Sequence, residues 1–265
     1  MQICVLNSGS SGNCVFISSN GTSILIDAGI SCLQIRRRLA AIGHSQEELA
    51  AVFITHDHID HCLGLTTLSN HNPGLAIYAN YETSRAVERT VSKSMKPGQT
   101  FPWANFETGD SFDVGGLSIE TFGIQHDAAD PVGYVVSDGN AKVGVATDMG
   151  VATEVVKRHL RGCDALVMEV NHDLDMLMES DRGWWLKQRI SGRNGHLSNE
   201  QASELLSSIC TDCLKVVFPA HVSGDCNTPE LAIGTVRDTL RSLGREDSVR
   251  ISPTYREAAG ELIEI

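Results

Sequence analysis

The run Ile54-Thr55-His56-Asp57-His58-Ile59-Asp60-His61 puts four metal-binding side chains, His56, His58, Asp60 and His61, within six residues. It follows the apolar residues 51–54, which read as a buried strand, so the polar groups stand at a strand end. In an extended or tightly turning loop, the spacing of two sets His56 and His58 on one side. Asp60 and His61 then reach a neighbouring position, and two ions can be held side by side. The competing reading is a solvated polar loop, which such a density of ligands argues against.

Working outward, residues 3–8 and 14–28 read as strands, with Asn20-Gly21 as the turn of a hairpin. Residues 30–43 carry helical spacing and end on a glycine, which makes an αβ unit with the strand before His56. Residues 80–94 read as a helix, and 106–144 as short antiparallel strands broken at GD, GG and DG. A second αβ rhythm follows: strand 141–148 ending in Asp148, helix 151–159, and strand 164–172 ending in Glu169, Asn171 and His172. Helix 199–208, strand 214–221 ending in His221, and a last helix over 228–243 complete it. The expectation is an α/β chain of two mixed sheets face to face with helices outside, its polar residues gathered where strand ends meet loops. No repeat and no Pro/Gly/Ser linker divides it, so residues 1–265 read as a single domain.

The sequence H-x-H-x-D-H after an apolar strand resembles the signature of metallo-β-lactamase fold hydrolases, and the rest of the chain continues that likeness. The resemblance implies a four-layer αββα sandwich. It implies His56, His58 and His126 on one ion, Asp60, His61 and His221 on the other, and Asp148 between them. Asp27, in ILIDAG, is implied to support the histidine loop from behind. His126, His221 or Asp148 taken alone would read as an ordinary surface, core or cap residue; it is the joint pattern that reverses this. His44, His71 and His159 lie outside it and read as surface, and Cys62 as packed. Two divalent ions bridged by a carboxylate lower the pKa of a shared water toward neutrality, so the implied reaction class is hydrolysis by metal-bound hydroxide. The N/O ligand set suits Zn, Mn or Fe.

Two further segments bear on substrate. The histidine of GHLSN, His196, resembles the proton donor of RNase Z type nucleases, with Glu169 as its orienting partner; an alkoxide leaving group needs such an acid. Asp60 is a candidate to share the nucleophile's proton. The segments SGSSGN, EVNHD, GHLSN and HVSGDCNTPELA together resemble the YycJ/WalJ subgroup of the superfamily, which implies 5′-exonuclease activity on DNA. Members often carry Tyr-Pro where this chain has Trp184-Trp185, so the resemblance does not extend to the local lid shape or to base stacking there. Ser10 and Asn13, in a loop whose amides can form an anion nest, are candidate substrate contacts, with His172, Arg193, Ser223 and Asn227. Trp184 and Trp185 can stack on a base, although at least one is expected to pack against the core. Lys187, Arg189 and Arg193 form the best basic cluster, whereas Arg36, Arg37 and Arg38 read as a solvated helix face. Cys210-x-x-Cys213 has no second pair and reads as helix-end packing.

Composition sets the remaining bounds. With 265 residues, 42% hydrophobic and 20% charged, the chain can bury a large core and is not disordered. A net charge of −12 argues against a non-specific nucleic-acid coat but not against a phosphate-directed site. No membrane-spanning stretch and no secretory leader is recognisable, and eight scattered cysteines fit reduced thiols, so the expected location is the cytoplasm, without disulfides. No protein partner can be inferred. Two alternatives stay open: a small-molecule hydrolase, either a glyoxalase II-like thioesterase or a cyclic phosphodiesterase, and a non-catalytic protein that keeps metals for structure.

Overall fold

In a computed structural model, which describes residues 1–96 and 98–265, the chain opens with β1 (Gln2–Asn7), β2 (Cys14–Ser19) and β3 (Thr22–Ile26). Asn20 and Gly21 both have positive φ, as the two-residue hairpin turn between β2 and β3 requires. Helix α1 (Cys32–Ala41) starts on a reciprocal cap between Ser31 and Gln34 and leads to β4 (Leu49–Phe53). Then come α2 (Ile59–Cys62), α3 (Leu65–His71), β5 (Ala76–Asn80), α4 (Tyr81–Val91) and β6 (Trp103–Phe106). The second half runs β7 (Ser111–Val114), β8 (Leu117–Gly123), β9 (Val132–Ser137), β10 (Lys142–Ala146), α5 (Glu154–Leu160) and β11 (Ala165–Glu169). It continues with α6 (Leu174–Glu179), α7 (Trp184–Ile190), α8 (Asn199–Ile209), β12 (Val216–Ala220), α9 (Pro229–Ser242), β13 (Arg250–Ile251) and β14 (Ile263–Glu264).

The strands form two seven-stranded sheets, ordered β14-β1-β2-β3-β4-β5-β6 and β13-β12-β11-β10-β9-β8-β7. Each is mixed. The β1-to-β3 pairings are antiparallel and the β3-to-β6 pairings parallel; β7 to β10 pair antiparallel, and β10 to β13 parallel. Alternation along the strands divides the apolar residues between two faces. Ile3, Val5, Ile17, Ile24 and Phe53 meet Ile119, Tyr134, Val145, Val167 and Phe218 between the sheets. On the outer face of the first sheet, Leu6, Phe16, Leu25 and Val52 pack against Ile35 and Leu39 of α1 and Val87 of α4. On the outer face of the second, Val135, Leu166, Met168 and Val217 pack against α5, α8 and α9 through Leu160, Leu205, Leu206, Val236 and Leu240. The result is the expected four-layer αββα sandwich.

Two sequence expectations need correction. Phe106 does not begin the antiparallel meander; it ends β6, which pairs parallel with β5 at the edge of the first sheet. Arg38 is not on a solvated helix face but buried, because its guanidinium satisfies otherwise unpaired acceptors at the end of β1, the Leu6 carbonyl at 2.7 Å and the Asn7 side chain. Among the described residues no helix is long and apolar enough to cross a membrane.

Candidate metal centre

The parallel strands of both sheets release the chain on the same rim of the sandwich, and the backbone there is held in an unusual state. Among the described residues, four that are not glycine have positive φ; besides the turn residue Asn20 they are Asp27, Asp148 and His221, at 63°, 60° and 52°. These three follow β3, β10 and β12. Left-handed backbone at such residues persists only where the surroundings over-determine it, and it commonly marks a working site.

The histidine loop docks on the end of β3. Gly29 lies so close to the Asp60 carbonyl that a Cβ there would overlap it, and the same carbonyl accepts the Asn13 amide at 2.7 Å. Asp27 then ties the loop down: Oδ1 accepts the Thr55 amide at 2.8 Å, and Oδ2 accepts Nδ1–H of His61 at 2.7 Å. His56, His126 and His221 are each anchored through Nδ1. His56 Nδ1 is 2.9 Å from Thr55 Oγ1, His126 Nδ1–H donates to the Gly195 carbonyl at 3.0 Å, and His221 Nδ1 is 3.2 Å from Glu169 Oε1. The opposite nitrogens converge. His126 Nε2 is 3.3 Å from His58 Nδ1, while His61 Nε2 and His221 Nε2 are each 3.3 Å from Asp148 and 3.6 Å from Asp60.

Donor atoms of His56, His58 and His126 lie within 4.8 Å of one another, as do those of Asp60, His61 and His221, and those of His56, His61 and Asp148. Three atoms in this space, His56 Nε2, Asp148 Oδ2 and His221 Nε2, are buried without a hydrogen-bond partner. Buried polar atoms are rarely left so. The residues thus fit a cation or a pair of cations, with ring orientation set by groups behind the donors.

Charge supports the same reading. Burial depresses His56, and the neighbouring His61, His126 and His58 add to this against the opposing pull of Asp148. Burial acts likewise on His221, but Asp148, Asp60 and Glu169 outweigh it and raise the imidazole to about 10; Asp27 and Asp148 likewise hold His61 well above its usual range. Burial pushes Asp148 up, yet facing His221 and His61 keep it well below the carboxylate range. A cluster that draws protons onto its imidazoles in this way offers the same field to a divalent ion.

Beside this space stands a second pair. Glu169, fully buried at the end of β11, accepts the Met149 and Leu197 amides on Oε2 at 2.9 and 3.1 Å, and its Oε1 accepts Nδ1–H of His196 at 2.7 Å. Burial would raise Glu169, but His196 and His221 bring it down to about 2. His196 is left with Nε2 uncommitted, its side chain 21% exposed and its ring centroid 5.1 Å from those of both His126 and His221.

The other candidates divide. Asn13 lies in the site with Nδ2 3.3 Å from Asp60 Oδ2, Ser10 is exposed at the loop tip, and Arg193 is exposed three residues before His196. Asn227 is not a substrate contact: it is buried, with its amide spent on the Val170 and Asn171 carbonyls and on Asn199. Ser223 uses its hydroxyl to accept the Cys226 amide, and His172 is buried with neither ring nitrogen bonded. Lys187 leaves the basic cluster, being buried with Nζ on the Met178 carbonyl, and Arg189 is paired with Asp127 at 2.6 Å. Neither tryptophan packs against the core: Trp184 and Trp185 are 64% and 68% exposed, because α7 is short and turns its Leu186 and Lys187 side inward. Of the outlying histidines, His71 is exposed, while His44 is half-buried against Phe16 and His159 stacks on Phe122. Cys210 is the C-cap of α8, whereas Cys213 is exposed. Sequence reasoning noted Ser8 in the N-terminal loop and Asn171 at a strand end but gave neither its role beside His221: Ser8 Oγ accepts the His221 amide at 2.7 Å, and Asn171 Nδ2 donates to the His221 carbonyl at 2.7 Å. It missed Asp127, 3.4 Å from His126 Nε2, for which adjacency to His126 was the available signal.

Residues 22–221 match a family described as a beta-lactamase superfamily domain. The chain is 33% identical over 244 residues to exodeoxyribonuclease YycJ of Bacillus anthracis, covering 92% of this chain and 90% of that one. It is 33% identical over 263 residues to exodeoxyribonuclease WalJ of Streptococcus pneumoniae, covering 98% and 97%. Among solved structures, the metallo-β-lactamase fold protein YhfI of Bacillus subtilis superimposes with a TM-score of 0.72 at 15% identity, over 99% of both chains.

Proposed function

The chain belongs to the metallo-β-lactamase superfamily, and on that premise we propose that it is a dinuclear metal-dependent phosphodiesterase that degrades DNA from an end. The observation that carries this reading is the His196–Glu169 pair, 2.7 Å apart, beside the convergent donor set. Its likeness to relatives named as exodeoxyribonucleases over nearly the whole chain supports the choice of DNA. His56, His58 and His126 would hold one ion and Asp60, His61 and His221 the other, with Asp148, whose carboxylate lies near His61 and His221, available to the pair. Zn, Mn and Fe all suit these nitrogen and oxygen donors. Bound there, divalent ions supply positive charge to the phosphoryl oxygens and make a water acidic enough to attack near neutral pH.

The chain's own residues do the rest. Glu169 keeps the His196 proton pattern fixed: Nδ1–H is committed to the carboxylate, so Nε2 is the atom that can deliver a proton to the leaving sugar oxygen. Asp60, set between His61 and His221, accepts the proton lost by the attacking water. Asp27 and Thr55 hold the histidine loop at its working distance. Eight free thiols favour a reducing compartment, and we place the protein in the cytoplasm.

One observation favours a smaller substrate: of the basic cluster expected to meet a DNA backbone, Lys187 and Arg189 are committed to protein groups. The test is turnover of 5′-labelled single- and double-stranded DNA, bis(p-nitrophenyl) phosphate and a glutathione thioester by the metal-loaded protein. Release of mononucleotides supports the nuclease reading. Intact DNA alongside cleavage of either small substrate overturns it in favour of a metabolic hydrolase.

A further inference from the structure

The segment after β13 crosses the rim of the sandwich without regular structure, yet it is closely tied to the metal centre. The Ser8 amide donates to the Tyr255 carbonyl at 3.0 Å, while the same serine's hydroxyl accepts the His221 amide. Arg256 runs between two glycine loops. A Cβ at Gly9 would lie 3.0 Å from Arg256 Nε, and one at Gly224 would collide with its guanidinium. Arg256 Nη2 donates to the carbonyl of Val222, the residue after His221, at 2.5 Å. Arg256 forms no ion pair among the described residues, and what sets it apart from other unpaired arginines such as Arg193 and Arg237 is its packing between the Gly9 and Gly224 loops. Such an exposed guanidinium, bonded to the residue after the proposed ligand His221 and packed against Gly9 next to the exposed Ser10 and Ser11, has the charge and the donors to take an oxyanion.

Next to it lies a cavity of about 420 Å³ whose lining includes Ser223, Asn227, Thr254, Tyr255, Arg256 and the carboxylate-bearing Glu257, which forms no ion pair with Arg256. The volume falls within the range of about 300–1,000 Å³ usual for small-molecule sites. Its lining is mostly apolar, with Tyr255 48% exposed, so it offers a ring face beside a cation. Resting on the phosphodiesterase reading above, we propose that this cavity is a nucleotide subsite. It takes the nucleotide next to the cleaved bond, its phosphate on Arg256 and its base against Tyr255.

The test compares Arg256→Gln, Arg256→Lys and Tyr255→Leu with the unaltered protein, all metal-loaded, on a single-stranded oligonucleotide and on bis(p-nitrophenyl) phosphate, which has no neighbouring nucleotide. For Arg256→Gln the ratio of kcat/KM on DNA to that on the small diester falls about 10- to 100-fold, as for a lost charge-assisted contact. The slope of log KM for DNA against log salt falls by about 0.7, one phosphate contact on a single strand. Arg256→Lys recovers part of the ratio, and Tyr255→Leu lowers it without changing the salt slope. If unaltered protein cleaves DNA and the ratio stays put in Arg256→Gln and Tyr255→Leu, or both substrates suffer equally, the subsite is overturned and the nuclease reading stands. Should Arg256→Gln fail to fold, Tyr255→Leu and Arg256→Lys decide by the same ratio. If unaltered protein leaves DNA intact while cleaving the small diester, the nuclease reading fails and the subsite with it.

Discussion

Replacing His196 by alanine separates proton donation from metal binding. Its Nδ1 is occupied by Glu169 at 2.7 Å, and its ring stands 5.1 Å from those of His126 and His221, so Nε2 is the atom presented to substrate. A positioned general acid contributes about 10²- to 10⁴-fold, or about 2.7–5.4 kcal/mol of barrier. The sugar alkoxide leaving DNA needs that proton, whereas p-nitrophenolate is stable without one. His196→Ala should therefore lower kcat on DNA by about 10²- to 10⁴-fold and on bis(p-nitrophenyl) phosphate by less than about tenfold, with metal content per chain unchanged by elemental analysis. Glu169 would keep its two backbone donors, Met149 and Leu197, so the fold around the strand end is retained. Equal losses on both substrates, or loss of metal from the variant, would refute the donor role and make His196 a ligand or a structural residue.

Three other outcomes follow from the geometry. Asp27→Asn turns one of the two oxygens that accept the Thr55 amide and His61 Nδ1–H into a donor and removes the negative charge behind His61, and should weaken metal binding about 10- to 100-fold by calorimetry; unchanged affinity would mean the histidine loop is held without it. Gly29→Ala drives a methyl against the Asp60 carbonyl and should cost about 1–3 kcal/mol in denaturant unfolding together with metal retention, whereas wild-type stability would contradict the close docking. His61 and His221 are raised, so the metal-free chain carries protons on them at pH 7, and loading should release about two protons per chain, read from calorimetry in buffers of different ionisation heat. By the same sign, the His221 imidazole stabilises the metal-free fold fully below about 6.5, and that contribution fades as pH rises through about 10; a metal-free stability that climbs over this interval would contradict the assignment.

Much of the site was legible because its chemistry is local. His56 to His61 fall in one short run, and Asp27, Asp148 and His221 each follow an apolar stretch, a strand-end placement that took on meaning only through the joint pattern and the family resemblance. The outer helices were legible for a similar reason: α1, α8 and α9 carry Ser, Ser and Thr caps and apolar faces that show up at helical spacing. What sequence concealed was set by tertiary contact. Nothing in Arg-Arg-Arg says that Arg38 alone turns inward, because its partner is the end of β1, and nothing near Lys187 announces the Met178 carbonyl that captures it. Trp184 and Trp185 look like core by residue type, but a seven-residue helix has one inward face and it is occupied. β5 is only five residues long, and its helix-permissive alanines hide its strand character until β4 and β6 pair with it. Tyr255 and Arg256 lie in a stretch with no period at all; only the folded chain brings them to Gly9 and Gly224.

Mononucleotide release from end-labelled DNA, followed as Mn or Zn is titrated into metal-stripped protein of known concentration, bears most directly on the assignment of this cluster. Activity should be absent without metal and reach its plateau at two ions per chain, and a His58→Ala chain should show neither the second equivalent nor the activity. A plateau at one ion per chain, or cleavage that persists in excess chelator, would contradict a two-ion phosphodiesterase built on His56, His58, Asp60, His61, His126, Asp148 and His221.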